Sequence, residues 1–516
     1  MELNLINWFL AIFPVLLLLV LLMALSWDPA KAGMVSWLAA MAIAFFCFGA
    51  DGQILALANS KGMGLSLYVL LIIWTALFLY NVVDQAAAIK VIGAKVSALT
   101  EDRALLMLLL AWCFTSLLQG LAGFGVPVAV VAPIMIAAGF PPLLSVTACL
   151  VGHTWAVTFG SMGSSYNAIQ LVTGIDGQVI GPQMALLFAI LILATGLEVA
   201  YLGGGRKNLA HSLGPVLSAW LVMAFVMWLM AYLGVAQLGS LAAAGCGCLV
   251  IAVWTRLRRK QPATGLPAPV QTEPGAMGFH LAALPYYLVI ALTLLEQLGP
   301  IKAALGGFAW GLPFPATTTA YGYAVEAVDA YSKIKWFNHP ALILLISALL
   351  GGLLYIKFAG RSPQIFKKAW QATVKKSIPT SVSICAMVMM ALVMGESGMT
   401  IMIAEGAAAT LSLFYPLIAP FIGILGTIIT NSNTNSNIMF GLLQYETGQF
   451  IGLNSVLLAA AQSVGGSIGV CIAPATVMMN LANVGLEGQE SQVIKTNLKF
   501  CLINAALVGL AVFILA

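Results

Sequence analysis

The sequence predicts an all-α polytopic membrane protein, with about 12 spanning helices and two re-entrant, broken hairpins arranged as an inverted repeat. Three observations carry this. First, 61% of the 516 residues are hydrophobic and 8% charged, with a mean hydropathy of +1.01, a composition suited to lipid rather than water. Second, apolar runs of spanning length recur from one end of the chain to the other. Third, two of them are interrupted at mid-length, by Gln119-Gly-Leu-Ala-Gly-Phe-Gly-Val-Pro127 and by Asn431-Ser-Asn-Thr-Asn-Ser-Asn437, about 310 residues later. Unpaired backbone groups are tolerated at bilayer depth only where protein or a water-filled cavity satisfies them, so each break marks a candidate ligand site.

The first run, Leu5 to Leu25, has no Lys or Arg before it and is too long for the core of a signal peptide, so it reads as a retained helix. Further spans follow near 33 to 50, 63 to 83, 143 to 160, 182 to 202, 211 to 234, 236 to 254, 280 to 298, 341 to 359, 379 to 394, 453 to 470 and 496 to 516. The hairpins run from 104 to 139 and from 416 to 448, with middles rich in Gly or Asn.

Charge then orients the chain. If each hairpin returns to the side it came from, 18 of the 22 Lys and Arg residues fall in the cytoplasm, among them Lys90, Lys95, Arg206 and the clusters Arg256 to Lys260 and Lys357 to Lys376. Only Lys61, Lys302, Lys333 and Lys335 lie outside, and both termini face outward. The net charge of +5 arises from these loops and does not indicate nucleic acid. The Pro-rich stretch from Arg256 to Gly278 reads as a linker, and the outer loop from Gly299 to Pro340 as a segment on the membrane surface. The eight cysteines read as buried thiols, and no metal or cofactor is expected. A homo-oligomer is compatible with the sequence.

A shift of 312 pairs Asp84 with Glu396, Gln119 with Asn431 and Gly123 with Asn435; a shift of 310 pairs Leu143 and Ser145 with Leu453 and Ser455. The order of segments matches too, and the span at 63 to 83 runs inward where its partner at 379 to 394 runs outward. The chain therefore divides into N-terminal helices (1–59), a first repeat (60–205), connecting helices and loops (206–375) and an inverted second repeat (376–516). Such repeats supply the two mirror-related states of alternating access.

The candidate binding groups are Gln119, Gly123, Gly125, Ser161, Gly163, Ser164, Asn431, Asn433, Asn435, Ser436 and Asn437. Pro127 is placed to begin one half-helix, Ser436 or Asn437 to cap another near Ile438, and Ser161 to Ser165 and Ile472 to Ala475 interrupt two further spans, with Pro474 starting a fourth segment. Helix N-termini suit an anion, but each contributes roughly 0.3 to 2 kcal/mol, while burying a carboxylate costs several; hydrogen bonds of about 1.5 to 3 kcal/mol each must supply the rest. A small anion with its own hydroxyl or carbonyl fits. For Gly123 and Gly125 the alternative is close helix packing; for the Asn-rich run it is a solvated turn.

Asp84, His153 and Glu396 are the candidates for carrying a proton, with Glu198, Glu296, Glu405 and Glu446 near segment ends. An intramembrane enzyme is disfavoured because His153, His211, His280 and His339 are scattered and show no metalloprotease-type pairing. A proton-pump subunit would carry Lys and Glu in the middle of several spans.

The run Leu117 to Ala129, with Ala132-Pro133, Gly139-Phe-Pro-Pro142, Thr158-Phe-Gly-Ser-Met-Gly163, Leu79-Tyr-Asn-Val82 and Asn433 to Asn437, resembles the lactate permease family of bacterial 2-hydroxy-monocarboxylate transporters. The resemblance reaches across the chain and implies inner-membrane symport of lactate, glycolate or a related monocarboxylate with protons. It departs from the family pattern at Gln119, where members usually have Glu, and at Ser164-Ser165, where Ile-Pro or Thr-Pro is common. Sodium coupling, or a dicarboxylate or oxyanion substrate, is the alternative within the same architecture.

Overall fold

The computed structural model describes residues 3–25, 27–123, 125–258 and 277–516, so most of the expected linker lies outside the described residues. Several helices begin where a short polar side chain accepts from otherwise unpaired N–H groups. Asn4 caps α1 (Leu5–Leu19), Asp28 caps α2 (Pro29–Cys47) and Asp51 caps α3 (Gly52–Gln85). After α4 (Ala88–Ser97), Asp102 caps α5 (Arg103–Met107), which runs through a π-helical stretch into α6 (Thr115–Leu121); α7 (Val126–Ala137) packs beside it. Next come α8 (Pro142–Gly152) and α9 (Gly160–Thr173), bent 51° from each other, then α10 (Gly177–Leu202), α11 (Gly205–Tyr232) and α12 (Gly239–Arg258).

The second half of the chain holds α13 (Phe279–Glu296), α14 (Gly299–Gly306), α15 (Pro340–Ala359), α16 (Gln364–Glu396) and α17 (Met399–Leu411). The second hairpin is α18 (Tyr415–Thr430) and α19 (Asn433–Phe450), followed by α20 (Ser455–Gly469), α21 (Pro474–Ala482) and α22 (Glu490–Leu515). Thirteen helices among the described residues are long and apolar enough to cross a membrane. Two of the thirteen include the arms leading into the breaks, and the bent pair adds one, which leaves the twelve expected.

Some boundaries differ. The spans at 63 to 83 and 379 to 394 are the more apolar parts of the longer α3 and α16, so the Lys367 to Lys376 cluster is helical rather than a loop. The span at 143 to 160 is cut at Gly152, where a Cβ would strike the Ala111 carbonyl. The outer loop is not featureless: β1 (Ala309–Phe314) pairs antiparallel with β4 (Val328–Lys335), and β2 (Thr317–Thr318) with β3 (Ala324–Val325). Cys47, Cys246, Cys248 and Cys385 are only partly buried, contrary to the expectation for all eight thiols.

Glycine sets the tightest helix contacts around both hairpins. As Gly152 of α8 meets Ala111 in the first, Gly465 of α20 meets the Pro420 carbonyl of α18 in the second, backbone against backbone. At the other end of α3, Lys61 is buried and its Nζ lies 2.8 Å from Glu396 Oε1 at the end of α16. The ammonium also faces the rings of Phe314 and Tyr331, 5.5 and 5.7 Å from their centroids, so the strand pair between α14 and α15 closes over the ion pair.

Candidate functional site

Both breaks exist, but the second is shorter than its composition suggests. Asn431 adopts a left-handed conformation (φ 53°), Ser432 is extended and accepts from the Asn435 N–H, and α19 starts at Asn433. Four residues of the heptapeptide are therefore helical before Asn437, and neither Ser436 nor Asn437 is the cap. In the first break Gly125 (φ 79°) precedes Val126, so Pro127 is the second helical residue rather than the first. Ser161, Met162 and Gly163 form a left-handed turn inside α9, and α21 starts at Pro474 after a 3-10 turn, Val470–Ile472.

The four resulting helix starts converge on a cavity of about 310 Å³. Gly125 reaches it from the start of α7, Ser164 and Ser165 from the second part of α9, Ser432, Asn433 and Asn435 from α19, and Ala475 and Thr476 from α21. Asp28, Lys376 and Pro379 are its exposed rim, while Gln119, His153, Ser161, Ser164 and Asn433 are buried walls. Thus seven of the expected binding residues, Gln119, Gly125, Ser161, Ser164, Asn431, Asn433 and Asn435, line one space.

The other four do not. Ser436 donates to the Gly423 carbonyl, 2.8 Å, and receives Gln462, which ties α18, α19 and α20 together. Asn437 donates to the Ser165 carbonyl and to Ser463 Oγ, at 3.0 and 2.7 Å. Gly123 is crowded by the Ser161 hydroxyl and Gly163 by Gln237, which makes them packing positions. Asp84 and Glu396 also lie away from the cavity: Asp84 is exposed at the end of α3, and Glu396 pairs with Lys61. His153 does line it; its Nδ1 donates to the Cys149 carbonyl, 2.7 Å, which leaves Nε2 as the nitrogen for the cavity.

Behind the walls a hydrogen-bonded seam joins the two hairpin regions. Asn433 Nδ2 donates to Thr158 Oγ1 (2.9 Å), Thr158 contacts the Ser463 and Ser467 hydroxyls (3.0 and 3.2 Å), and Ser165 contacts Thr434 (2.9 Å). Asn431 Oδ1 accepts from the Ala475 N–H, 2.9 Å, so one break caps the helix of another. The Oδ1 atoms of Asn433, Asn435 and Asn437 are buried without a protein partner. Lys376, Thr380 and Ser383 of α16 were not singled out from the sequence. Their only signal was a basic cluster that also serves to set orientation.

Gly125 combines a positive φ with a side that faces Met479, whose methyl a Cβ would strike. An L-residue there costs about 1–2 kcal/mol in backbone strain and pushes Met479 across the cavity. Gly125→Leu is expected to abolish uptake with only a modest fall in a detergent melting curve. Uptake equal to the parent would contradict this placement.

The fold and this cavity define a multi-pass membrane protein whose polar site is built from the interruptions of its own helices. The family described as L-lactate permease matches residues 7–516. An L-lactate permease of Streptococcus iniae is 31% identical over 76% of this chain and 80% of that one, and one of Salmonella typhimurium 29% over 85% and 82%. The glycolate permease GlcA of Escherichia coli is 27% identical over 97% of this chain and 94% of its own. The Alcanivorax borkumensis YdaH transporter, described as having an unusual topology, aligns with a TM-score of 0.47 at 15% identity over 89% and 86% of the two chains. The chain belongs to the L-lactate permease family.

Proposed function

We propose that the protein is a secondary transporter of a small monocarboxylate, lactate or glycolate, which moves together with a proton across the cell's inner membrane. The observation that carries this reading is the cavity: four helix starts, the amides of Gln119, Asn433 and Asn435, and the hydroxyls of Ser161 and Ser164 around one space, with Lys376 at its mouth. Helix N-termini and neutral donors suit a carboxylate, and the ammonium at the rim draws an anion in. The hydroxyl of a 2-hydroxy acid can meet the amide oxygens of Asn433 and Asn435.

In this reading residues 60–205 and 376–516 are inverted repeats, and the cavity sits between their hairpins, 104–139 and 416–448. With both termini outside, the rim of Asp28 and Lys376 is cytoplasmic and the conformation is inward-open, the Lys61–Glu396 pair closing the outer side. Cotransport of one proton makes the moving unit neutral and avoids about 2.3 kcal/mol per 100 mV for driving an anion against the potential. Sodium coupling has one observation in its favour, the unpartnered amide oxygens of Asn433, Asn435 and Asn437, since oxygen is the ligand such a cation needs.

Counterflow in proteoliposomes tests the substrate. Unlabelled lactate or glycolate on the far side is expected to accelerate uptake of either labelled compound, while succinate and sulfate leave it unchanged. Succinate acting as well as lactate would replace a monocarboxylate by a dicarboxylate. Lys376→Gln is expected to raise the half-saturation concentration severalfold from the cytoplasmic face with little change in maximal rate, because a rim charge acts on encounter rather than on the seated substrate; unaltered saturation would remove Lys376 from the path.

Orientation is tested by labelling. In a background without Cys47, Cys246, Cys248 and Cys385, Arg361→Cys is expected to react only from the cytoplasm and Lys333→Cys only from outside. The opposite pattern would invert the topology.

A further inference from the structure

We propose that Glu198 is the group that takes up and releases the cotransported proton, with Asn504 holding its neutral form; this rests on the symport reading above. Glu198 belongs to α10 of the first repeat and is 8% exposed; Asn504 belongs to α22 of the second and is 2% exposed. Asn504 Nδ2 donates to Glu198 Oε2, 3.2 Å, while the Oδ1 of the same amide is buried with no partner. A carboxylate can use only half of that amide. A carboxylic acid uses both, accepting from Nδ2 and donating its O–H to Oδ1, so the amide completes its hydrogen bonds only against the protonated form.

Among the described residues, Glu198 takes part in none of the ion pairs. Cys471, on the 3-10 turn packed against α22, is close enough to act on it, and its free thiol lies beside the free thiol of Cys501 on α22; the cations on the helices packed against α10, Lys495 and Lys499 of α22, Arg206 and Lys207 of α11 and Arg103 of α5, are exposed. Of the histidines on elements packed against α10, His153 closes α8 and faces the cavity, and His211 of α11 is held by Asp102 and Arg258. Charge on Glu198 therefore requires water, and water requires α10 and α22 to part. The proton is thereby tied to the contact between the two repeats.

The same helix touches the turn from which a cavity-lining helix starts. Two turns before Asn504, Asn497 Nδ2 donates to the Cys471 carbonyl, 2.9 Å, in the turn that precedes Pro474. The helix beginning there supplies Ala475, Thr476 and Met479 to the cavity wall. One rigid element thus joins the acid's partner to a substrate-facing break. The cycle balances: the Glu198 carboxylate forms an O–H bond with a proton from outside, the substrate binds as an anion and the unit crosses neutral. Inside, the O–H bond breaks, the proton passes to water and the substrate leaves as the anion it was.

The purified full chain in proteoliposomes tests this with Glu198→Gln, which keeps the shape and can pair with the Asn504 amide as the acid does, but cannot ionise. The variant is expected to exchange labelled lactate for unlabelled lactate at the rate the parent reaches at low pH, where its acid is protonated, to hold that rate with no pH dependence between about pH 5 and 8, and to lose pH-gradient-driven accumulation. Accumulation equal to the parent would overturn the assignment, as would a fall in exchange and accumulation together with the parent's pH profile kept, the mark of a merely structural role. Asn504→Leu, which leaves the acid but removes its amide, is expected to displace the pH profile of exchange; an unmoved profile would also overturn the assignment, even if Glu198→Gln proved unstable. If the parent itself shows no proton-driven accumulation, the symport reading fails, an outcome distinct from failure of Glu198.

Discussion

Replacing Asn433 or Asn435 by alanine is expected to abolish or greatly slow uptake while leaving the protein folded. Both amides line the cavity, both Oδ1 atoms are buried without a protein partner, and Asn433 also donates to Thr158 across the seam between the hairpin regions. Losing one hydrogen bond to a charged substrate removes about 1.5 to 3 kcal/mol, roughly ten- to a hundredfold in affinity. The fold tolerates the change because Thr158 keeps Ser463 and Ser467, and the caps at Asn431 and Ser432 are untouched. Initial rates of labelled lactate or glycolate uptake, beside a detergent melting curve, check the expectation. Parent-like uptake by both variants would move the site elsewhere.

Removing either partner of the Lys61–Glu396 pair is expected to have the largest effect on stability. The two side chains are 3% and 10% exposed, and each would leave the other as an uncompensated charge in an apolar setting, a loss of about 3 to 5 kcal/mol. Lys61→Met and Glu396→Gln should both melt well below the parent. Exchanging the residues, Lys61→Glu with Glu396→Lys, should recover only part of the loss, because it sets a carboxylate against the Phe314 and Tyr331 ring faces that now meet an ammonium. Parent-like melting of Lys61→Met would show that the pair carries no load between α3 and α16.

How much of this was legible in the sequence depended on whether the signal was local. Glycine and proline punctuate: the break at Gly125 and the helix start at Pro474 follow from residues that can adopt, or cannot avoid, one backbone geometry, whereas the left-handed turn begins at Ser161 and Met162, which do not favour a positive φ, and only Gly163 announces it. The Asn-rich run misled at its far end because each of its seven residues can cap or turn a helix. What selects Asn431 as the left-handed residue and Ser432 as the cap is the Ala475 N–H that Asn431 accepts, 44 residues away.

Pairings across hundreds of residues left no local trace. Glu396 reads as an acid at a span end, and only the fold brings Lys61 to it over a separation of 335 residues. Glu198 reads as one more acid near a span end, and its distinction lies in Asn504, 306 residues on. Lys376 was concealed by its neighbours, since a cluster that orients a helix and a cation at a cavity mouth have the same composition. The outer strand pair was hidden in a long loop, because Ala309 to Phe314 and Val328 to Lys335 earn their strands only by pairing with each other.

The central claim, that this chain carries a monocarboxylate together with a proton, is tested most directly by accumulation in proteoliposomes with the membrane voltage clamped and sodium absent. The account predicts that labelled lactate or glycolate accumulates on the alkaline side of an imposed pH gradient, that collapsing the gradient abolishes accumulation, and that changing the clamped voltage leaves it unaltered. Accumulation that requires a sodium gradient, or that follows voltage and ignores pH, would contradict it.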